Sequence, residues 1–263
     1  MNLAVVGSLA LDRIGGRPPR IGGCPFYAAR ALRVLGTHAV VVAKCAAPDR
    51  RLLLPPLVRL GLPVTWQDST ATAAFSMAYD GDRRRMTVEA VADPWTPDQV
   101  RLPGTRWVHV APLARTDFPP ETLAALARGR RLSLDGQGLV RPGRTGPLEL
   151  DADYDPALLH SVSILKLAEE EAEMLVEGFD ERALRHLGVP EIVVTLGWRG
   201  CIVFADGIAE LVRARRVPSA DPTGAGDAFA AAYLAARSRG NLPTAAARRA
   251  AALVADLLAG RAA

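Results

Sequence analysis

Apolar residues along the chain fall into two rhythms, short continuous runs and stretches with helical spacing, and these separate strands from helices. Asn2–Gly7 and His38–Ala43 are apolar runs of strand length. Between them Phe26, Ala29, Leu32, Val34 and Leu35 recur at helical spacing from Pro25 to Leu35, and Gly36 stops the helix. Leu52–Leu60 is apolar enough for a helix, but Pro55 and Pro56 restrict the expectation to a short piece starting there. Ala71–Tyr79 and Arg84–Ala90 alternate polar and apolar positions around Asp80-Gly81-Asp82, the pattern of a hairpin with one face in solvent.

From Trp95 onward the rhythm is regular. Strand-like segments at Trp107–Val110, Arg131–Asp135, Val162–Leu165 and Glu191–Thr195 alternate with helical ones at Pro119–Ala127, Glu169–Val176 and Asp180–Leu187. That alternation predicts an α/β fold with a parallel sheet between layers of helices. Cys201–Ala205 and Glu210–Arg215 read as a hairpin turning at Asp206-Gly207, and two alanine-rich helices follow, Ala225–Ser238 and Pro243–Ala259. The Gly/Pro-rich stretches Arg13–Gly23 and Arg141–Pro147 read as loops. No repeat or linker interrupts the pattern, so residues 1–263 are expected to form a single domain.

Composition removes several classes. A chain of 263 residues, 49% hydrophobic and 23% charged, can bury a large core without staples. Cys24, Cys45 and Cys201 lie far apart and form no CxxC, which argues against a zinc site and for a reducing cytoplasm. No apolar stretch approaches the roughly 20 residues of a membrane helix, and the opening residues lack an export signal. A cytoplasmic protein with no membrane partner is expected. The 32 basic residues include only two lysines, Lys44 and Lys166, and the arginines form short clusters scattered along the chain. With aromatics at 5%, that reads as solvated surface rather than a nucleic-acid stripe. Neither lysine follows a glycine, so no P-loop is present. The first strand leads into Gly7-Ser8-Leu9-Ala10-Leu11 rather than GxGxxG, there is no GxSxG elbow, and His38, His109, His160 and His186 show no metal spacing.

The sharpest local chemistry is Asp221-Pro222-Thr223-Gly224-Ala225-Gly226-Asp227, directly ahead of an apolar helix. Gly224 and Gly226 let the backbone close around a ligand, and unpaired N–H groups at the helix start form an anion site. Asp227 would sit beside that anion, which is electrostatically odd unless it takes a proton. A turn followed by an ordinary helix-start carboxylate accounts for the spacing equally well.

The string DPTGAGDAFAAAYLAA closely resembles the C-terminal signature of ribokinase-like (PfkB-type) sugar and nucleoside kinases. The resemblance implies a ribokinase-like three-layer α/β/α sandwich with a mostly parallel central sheet and a small β-lid. It also implies that Gly224, Ala225 and Gly226 form an anion hole for the transferring phosphoryl group and that Asp227 is the general base. Val193–Gly200 resembles the family's strand followed by TxGxxG, placing Thr195, Gly197 and Gly200 along the nucleotide phosphates. Lys166–Glu171 stands in the place of K-x-N-x-x-E, which implies a nucleotide contact for Lys166 and a role for Glu171 in the water shell of Mg²⁺. Ala168 replaces the family's Asn there.

The first half is similar but departs further. Val5–Asp12 resembles the family's first strand, with Asp12 accepting hydrogen bonds from substrate hydroxyls. Gly22 and Gly23 resemble its N-terminal GG signature, and Tyr27 occupies the place of another substrate-binding Asn. Leu134–Arg141 resembles a D-x-Q-G-x-x-R variant, in which Asp135 and Arg141 either orient phosphates or pair to stabilise a turn. Only nine residues separate Asp12 from Gly22, so a reduced lid is expected, mainly from residues 71–90 with a little of 13–21. Edge-to-edge pairing of such lids would give a homodimer.

What the resemblance implies is ATP-dependent phosphoryl transfer with Mg²⁺, often with K⁺, to a hydroxyl of a small sugar or sugar-like polyol. Phe26, Tyr27 and Phe75 could instead stack on a base, which leaves a nucleoside acceptor open, and the D-x-Q-G-x-x-R feature leaves inositol open. The two missing asparagines leave open a non-catalytic ligand-binding regulator on the same fold.

Overall fold

The computed structural model describes residues 2–80, 83–176, 181–218 and 221–261. The first half of the chain contributes β1 (Leu3–Ser8), β2 (Ala10–Ile14), β3 (Arg20–Gly22), α1 (Cys24–Val34), β4 (Ala39–Ala46), α2 (Arg50–Val58), β5 (Val64–Ser69), β6 (Ala73–Asp80) and β7 (Arg83–Ala90). After these come β8 (Trp107–Ala111), α3 (Pro120–Ala127), β9 (Arg131–Asp135), α4 (Gln137–Val140), β10 (Gly146–Pro147), β11 (Ile164–Ala168) and α5 (Glu169–Leu175). The last third supplies α6 (Glu181–Arg185), β12 (Glu191–Thr195), β13 (Cys201–Ala205), β14 (Ile208–Val212), α7 (Ala225–Ser238) and α8 (Pro243–Leu258).

Nine strands form the central sheet in the order β14-β13-β12-β11-β9-β8-β1-β4-β5. It is parallel from β12 to β5, and β13 and β14 add an antiparallel edge. Strand β1 is buried along its whole length, as a continuous apolar run must be when helices cover both faces. Leu32, Phe229, Leu234 and Ala247 of α1, α7 and α8 pack one face, while Trp95, Phe118, Leu123 and Leu126 belong to the core on the other. The chain runs from β1 outward to β4 and β5, then returns to β8 on the opposite side. A crevice at the carboxyl ends of strands beside such a reversal is where open α/β sheets bind ligands.

A second sheet, ordered β10-β7-β6-β2-β3, lies at that end of the molecule. It is broader than the expected lid, because both stretches read as loops contribute a strand. β3 pairs antiparallel with β2, and the two residues of β10 pair with β7. Strands of three and two residues carry no periodic signal of their own; their pairing partners impose the conformation. The expected turn at Asp80-Gly81-Asp82 includes two positions, Gly81 and Asp82, outside the described residues, as is Asp180 at the expected start of α6.

Helix α2 corrects the proline expectation by running through Pro55 and Pro56. Leu53 and Leu57 are fully buried on one side, against Ala29, Val41 and Cys45, while Arg51, Leu52 and Pro55 are exposed. The carbonyls that lose N–H partners to the prolines lie on the solvent side, where water can replace the missing donors. β11 and β14 are also displaced from their expected ranges, since register with β9, β12 and β13 sets their ends. Among the described residues no helix is long and apolar enough to cross a membrane.

Candidate active site

The loop ahead of α7 divides two cavities. Its Asp221 accepts hydrogen bonds from the Thr223 N–H at 3.0 Å and the Thr223 hydroxyl at 2.5 Å, a local turn that needs only neighbouring residues. Gly224 then takes φ +77°, a left-handed conformation costly for other residues, and reverses the chain into the helix. The Ala225 N–H closes this turn on the Pro222 carbonyl at 2.9 Å. The first-turn N–H groups of Gly226 and Asp227 thus lack intrahelical acceptors, whereas that of Ala225 is already taken.

The signature glycines are explained by neighbours far away in sequence. A Cβ on Gly224 would lie 2.1 Å from the Tyr27 ring, so Tyr27 packs flush on the loop. On Gly226 it would lie 3.2 Å from Lys166 Nζ, so the ammonium sits directly under the helix start. On Gly22 it would lie 2.2 Å from an Asp12 carboxylate oxygen, so this glycine makes room for Asp12 rather than lining the cavity itself. Gly200 is pressed against the Val212 carbonyl, a reason for glycine that belongs to the strand packing.

The smaller cavity measures about 220 Å³. Ala10, Asp12, Phe75, Met77 and Met86 of the second sheet face it from above, and Gly23, Cys24, Tyr27, Gly224, Gly226 and Asp227 form its floor. Gln137, Arg141, Lys166, Glu170 and Glu171 complete the wall. Beneath it, Lys166 Nζ lies 3.2 Å from Asp135, and both residues are buried. Of the alternatives left open for Asp135, the pair with Arg141 does not form; its partner is Lys166. Burial opposes the charge on Lys166, but Asp135, Glu171 and Asp227 more than offset it and hold the ammonium charged. Burial likewise opposes ionisation of Asp135, and the charge of Lys166 reverses the balance, keeping it a carboxylate.

Asp227 shows the opposite balance. Burial pushes its carboxyl up to about 7, and Asp135 adds to the rise, while Lys166 and a hydrogen bond with Cys24 act against it. The Cys24 thiol is itself pushed well up by burial, so it stays protonated and can donate to that carboxylate. His109 is fully buried with Nδ1 3.2 Å from Ser133 Oγ; burial brings its pKa down to about 4, leaving the ring neutral. A carboxylate poised near neutrality beside helix-start N–H groups and a fixed ammonium is suited to accept a proton next to an anion.

The larger cavity measures about 430 Å³. Thr195, Gly197, Trp198 and Gly200 line one side, and Phe229, Val254, Ala255 and Leu258 line the other. The Thr195 hydroxyl donates to the Leu167 carbonyl at 3.1 Å, which fixes the end of β12. Trp198 is exposed at the cavity edge, with the Arg216 guanidinium 5.0 Å from its ring centre. Ala225 and Gly226 face this cavity too.

Lys166 departs from its expected grouping: it lines the smaller cavity, not the one holding Thr195, Gly197 and Gly200. Glu171 is buried and accepts the Ala168 N–H at 2.7 Å, so one of its oxygens serves the start of α5. Among the described residues no three His, Cys, Asp or Glu side chains gather to hold a metal. Mg²⁺ arriving on phosphates needs only one or two carboxylates, so Glu170 and Glu171 suit an ion carried in by a donor. Phe26 turns away from the site, edge-on to Tyr27 at 5.3 Å and against the Leu53 cluster, so no stacking pair forms. Sequence reasoning did not reach Cys24, Met77, Met86 or Phe229, and it gave no role to Gln137 within its motif. The alternation along β6 could have placed Met77 beside Phe75, whereas nothing near Cys24 announces its contact with Asp227.

The model for the pfkB family carbohydrate kinases matches residues 20–260. The chain belongs to this family. It is 30% identical over 207 residues to an inositol 3-kinase of Oryza sativa subsp. japonica, covering 74% of this chain and 49% of that protein. It is 28% identical over 193 residues to a fructokinase of Salmonella typhimurium, covering 68% of this chain and 62% of that one. The chain thus spans about half the length of the inositol kinase it matches. A solved pyrophosphate-dependent kinase of the ribokinase family, complexed with a pyrophosphate analog and myo-inositol, superposes with a TM-score of 0.86 at 26% identity, covering 98% of this chain and 95% of that one.

Proposed function

We propose that this protein transfers the terminal phosphoryl group of ATP to a hydroxyl of a small cyclic polyol, a sugar or an inositol. The observation that carries the reading is Asp227, a carboxylate with a pKa near 7 at a helix start shared by a small polar cavity and a larger apolar one. The acceptor would occupy the smaller cavity. At about 220 Å³ it lies below the roughly 300–1,000 Å³ of drug-sized sites, which favours a single ring over a nucleoside. Asp12 accepts hydrogen bonds from the ring, and one hydroxyl rests against Asp227. As Asp227 removes that proton, the hydroxyl oxygen bonds to the terminal phosphorus. The bond from phosphorus to the bridging oxygen breaks, and the departing diphosphate keeps the electron pair. The N–H groups of Gly226 and Asp227, with Lys166 beneath them, hold the charge on the transferring group. Mg²⁺ carried by the phosphates would neutralise further charge, with Glu171 within its water shell.

The larger cavity supports a nucleotide donor. Phe229, Val254, Ala255 and Leu258 offer an apolar slot of purine size, for which pyrophosphate has no use, although a solved relative is pyrophosphate-dependent. The test is donor consumption with Mg²⁺, with and without K⁺, across inositols, hexoses, pentoses and nucleosides, with ATP or pyrophosphate as donor. Acceptor-dependent ADP release that disappears in Asp227→Asn is expected. Consumption of pyrophosphate but not ATP would overturn the donor reading, and unchanged turnover in Asp227→Asn would overturn the base.

A further inference from the structure

We propose that the outward face of the second sheet binds a small anion bearing two or more phosphate groups, and that the bound anion tightens the acceptor site on the inward face. Binding on the outward face stands independently of the kinase reading, whereas its effect on the acceptor rests on that reading. A separate cavity of about 590 Å³ opens on this face, lined by the exposed Arg13, Arg17 and Arg85 together with Ser76 and Thr87.

Strand pairing assembles this basin from residues far apart in the chain. Side chains alternate between the two faces of a strand, so Asp12 and Met86 line the smaller cavity while their neighbours Arg13, Arg85 and Thr87 point outward. Arg13 is in register with Ser76, Ser76 with Thr87, and Ala78 with Arg85. The small side chains of β6 therefore form a low centre, with an arginine of β2 on one side and an arginine of β7 on the other. Gly15 and Gly16 take φ +56° and +71°, and the Arg17 N–H closes on the Ile14 carbonyl at 3.1 Å. That tight turn brings Arg17 back to the rim. Among the described residues no carboxylate lines the basin.

Guanidinium groups stay charged and present planar pairs of donors that match phosphate oxygens. A phosphate group carries a charge of about −1.5 to −2 near neutrality, so one phosphate leaves a third guanidinium unmatched and two do not. The basin, larger than the 220 Å³ acceptor cavity, has room for both. Among the described residues no aromatic side chain lines it, which disfavours single-stranded nucleic acid, whose bases bind by stacking. A second copy of the chain meeting this face across a two-fold axis would set arginine against arginine. Coupling to the acceptor follows from the thinness of the lid. Met77 lines both cavities, and Asp12 and Arg13 are adjacent on β2 with opposite outlooks. An anion spanning Arg13 and Arg85 ties together β2 and β7, the strands that carry Asp12 and Met86 over the acceptor.

The test is calorimetry at physiological ionic strength with inorganic tripolyphosphate and, separately, fructose 1,6-bisphosphate. The two probes distinguish a linear oligophosphate from a bisphosphorylated sugar, and binding of either is the expected result. Arg13→Ser/Arg17→Ser, two exposed substitutions that should leave the unfolding midpoint in place, should weaken that binding about tenfold or more. Binding of neither probe, or equal binding by the double variant, as for a probe seated in the larger cavity, would overturn the proposal. Citrate binding as tightly as the phosphates would reduce the basin to an unspecific positive field and overturn it as well. A single-stranded oligonucleotide binding more tightly than both probes would make the face a nucleic-acid surface instead. The bound probe should lower the acceptor KM about fivefold in the wild type and not in the double variant. An unchanged acceptor KM despite binding would overturn the coupling. If no acceptor is phosphorylated, the kinase reading fails while calorimetry still decides the anion site.

Discussion

The two cavities share Pro222 and Gly226, yet one is about 220 Å³ and rimmed by Asp12, Lys166, Glu171 and Asp227, while the other is about 430 Å³ and lined largely by Phe229, Val254, Ala255 and Leu258. In the first, position is enforced by charge: Asp135, Glu171 and Asp227 hold a buried lysine charged, the lysine favours ionisation of Asp135 and Asp227, and Asp135 opposes that of Asp227. In the second, shape and apolar surface do most of the holding. Loss of one charge in the first should therefore disturb its neighbours, whereas crowding the second should weaken binding without touching the chemistry.

The sharpest way to break the comparison is Asp227→Asn. On the proposed role of Asp227 as general base, its loss should lower kcat by about 10²–10⁴-fold while calorimetry still detects donor binding in the larger cavity. Next comes Lys166→Met, which leaves Asp135 buried without its partner; about 3–5 kcal/mol of stability should disappear, with a large loss of turnover. The double variant Asp135→Asn/Lys166→Met should recover much of the unfolding midpoint but not the turnover, separating structural pairing from charge at the phosphoryl group. If turnover returns together with stability, Lys166 acts only as a structural cation.

Smaller effects sharpen the contrast. Asp227 must be ionised to accept a proton, and burial raises its pKa to about 7. Hence kcat/KM should fall about tenfold per pH unit below that point and level off above it, as a pH–rate profile would measure. Val254→Trp, which crowds the larger cavity and not the smaller one, should raise the KM for ATP about tenfold and leave the acceptor KM alone. An equal rise in both constants would mean that the cavities are not independent.

Legibility in the sequence followed the range of the interactions. The DPTGAGD loop was readable because its geometry is local: Asp221 binds Thr223, Gly224 turns, and Asp227 begins the helix. The central strands were readable because continuous apolar runs have few other uses in a chain of this composition. The short lid strands β3 and β10 were not, since pairing alone creates them. The run of α2 through Pro55 and Pro56 was also hidden, because it depends on which side of the helix meets Leu53 and Leu57's neighbours.

By itself the sequence determined the α/β class, the glycine turn at a helix start and the carboxylate beside it, all consequences of periodicity or of residues a few positions apart. Only the tertiary structure decided that Lys166 belongs with Asp135 under Gly226, that Tyr27 lies on Gly224, that Cys24 touches Asp227, and that Met77 and Met86 roof the smaller cavity. The reason is physical: a pKa and a cavity are properties of everything within a few ångströms. Those neighbours come from β6, β7, β9, β11, α1 and α7, and sequence spacing does not record their approach.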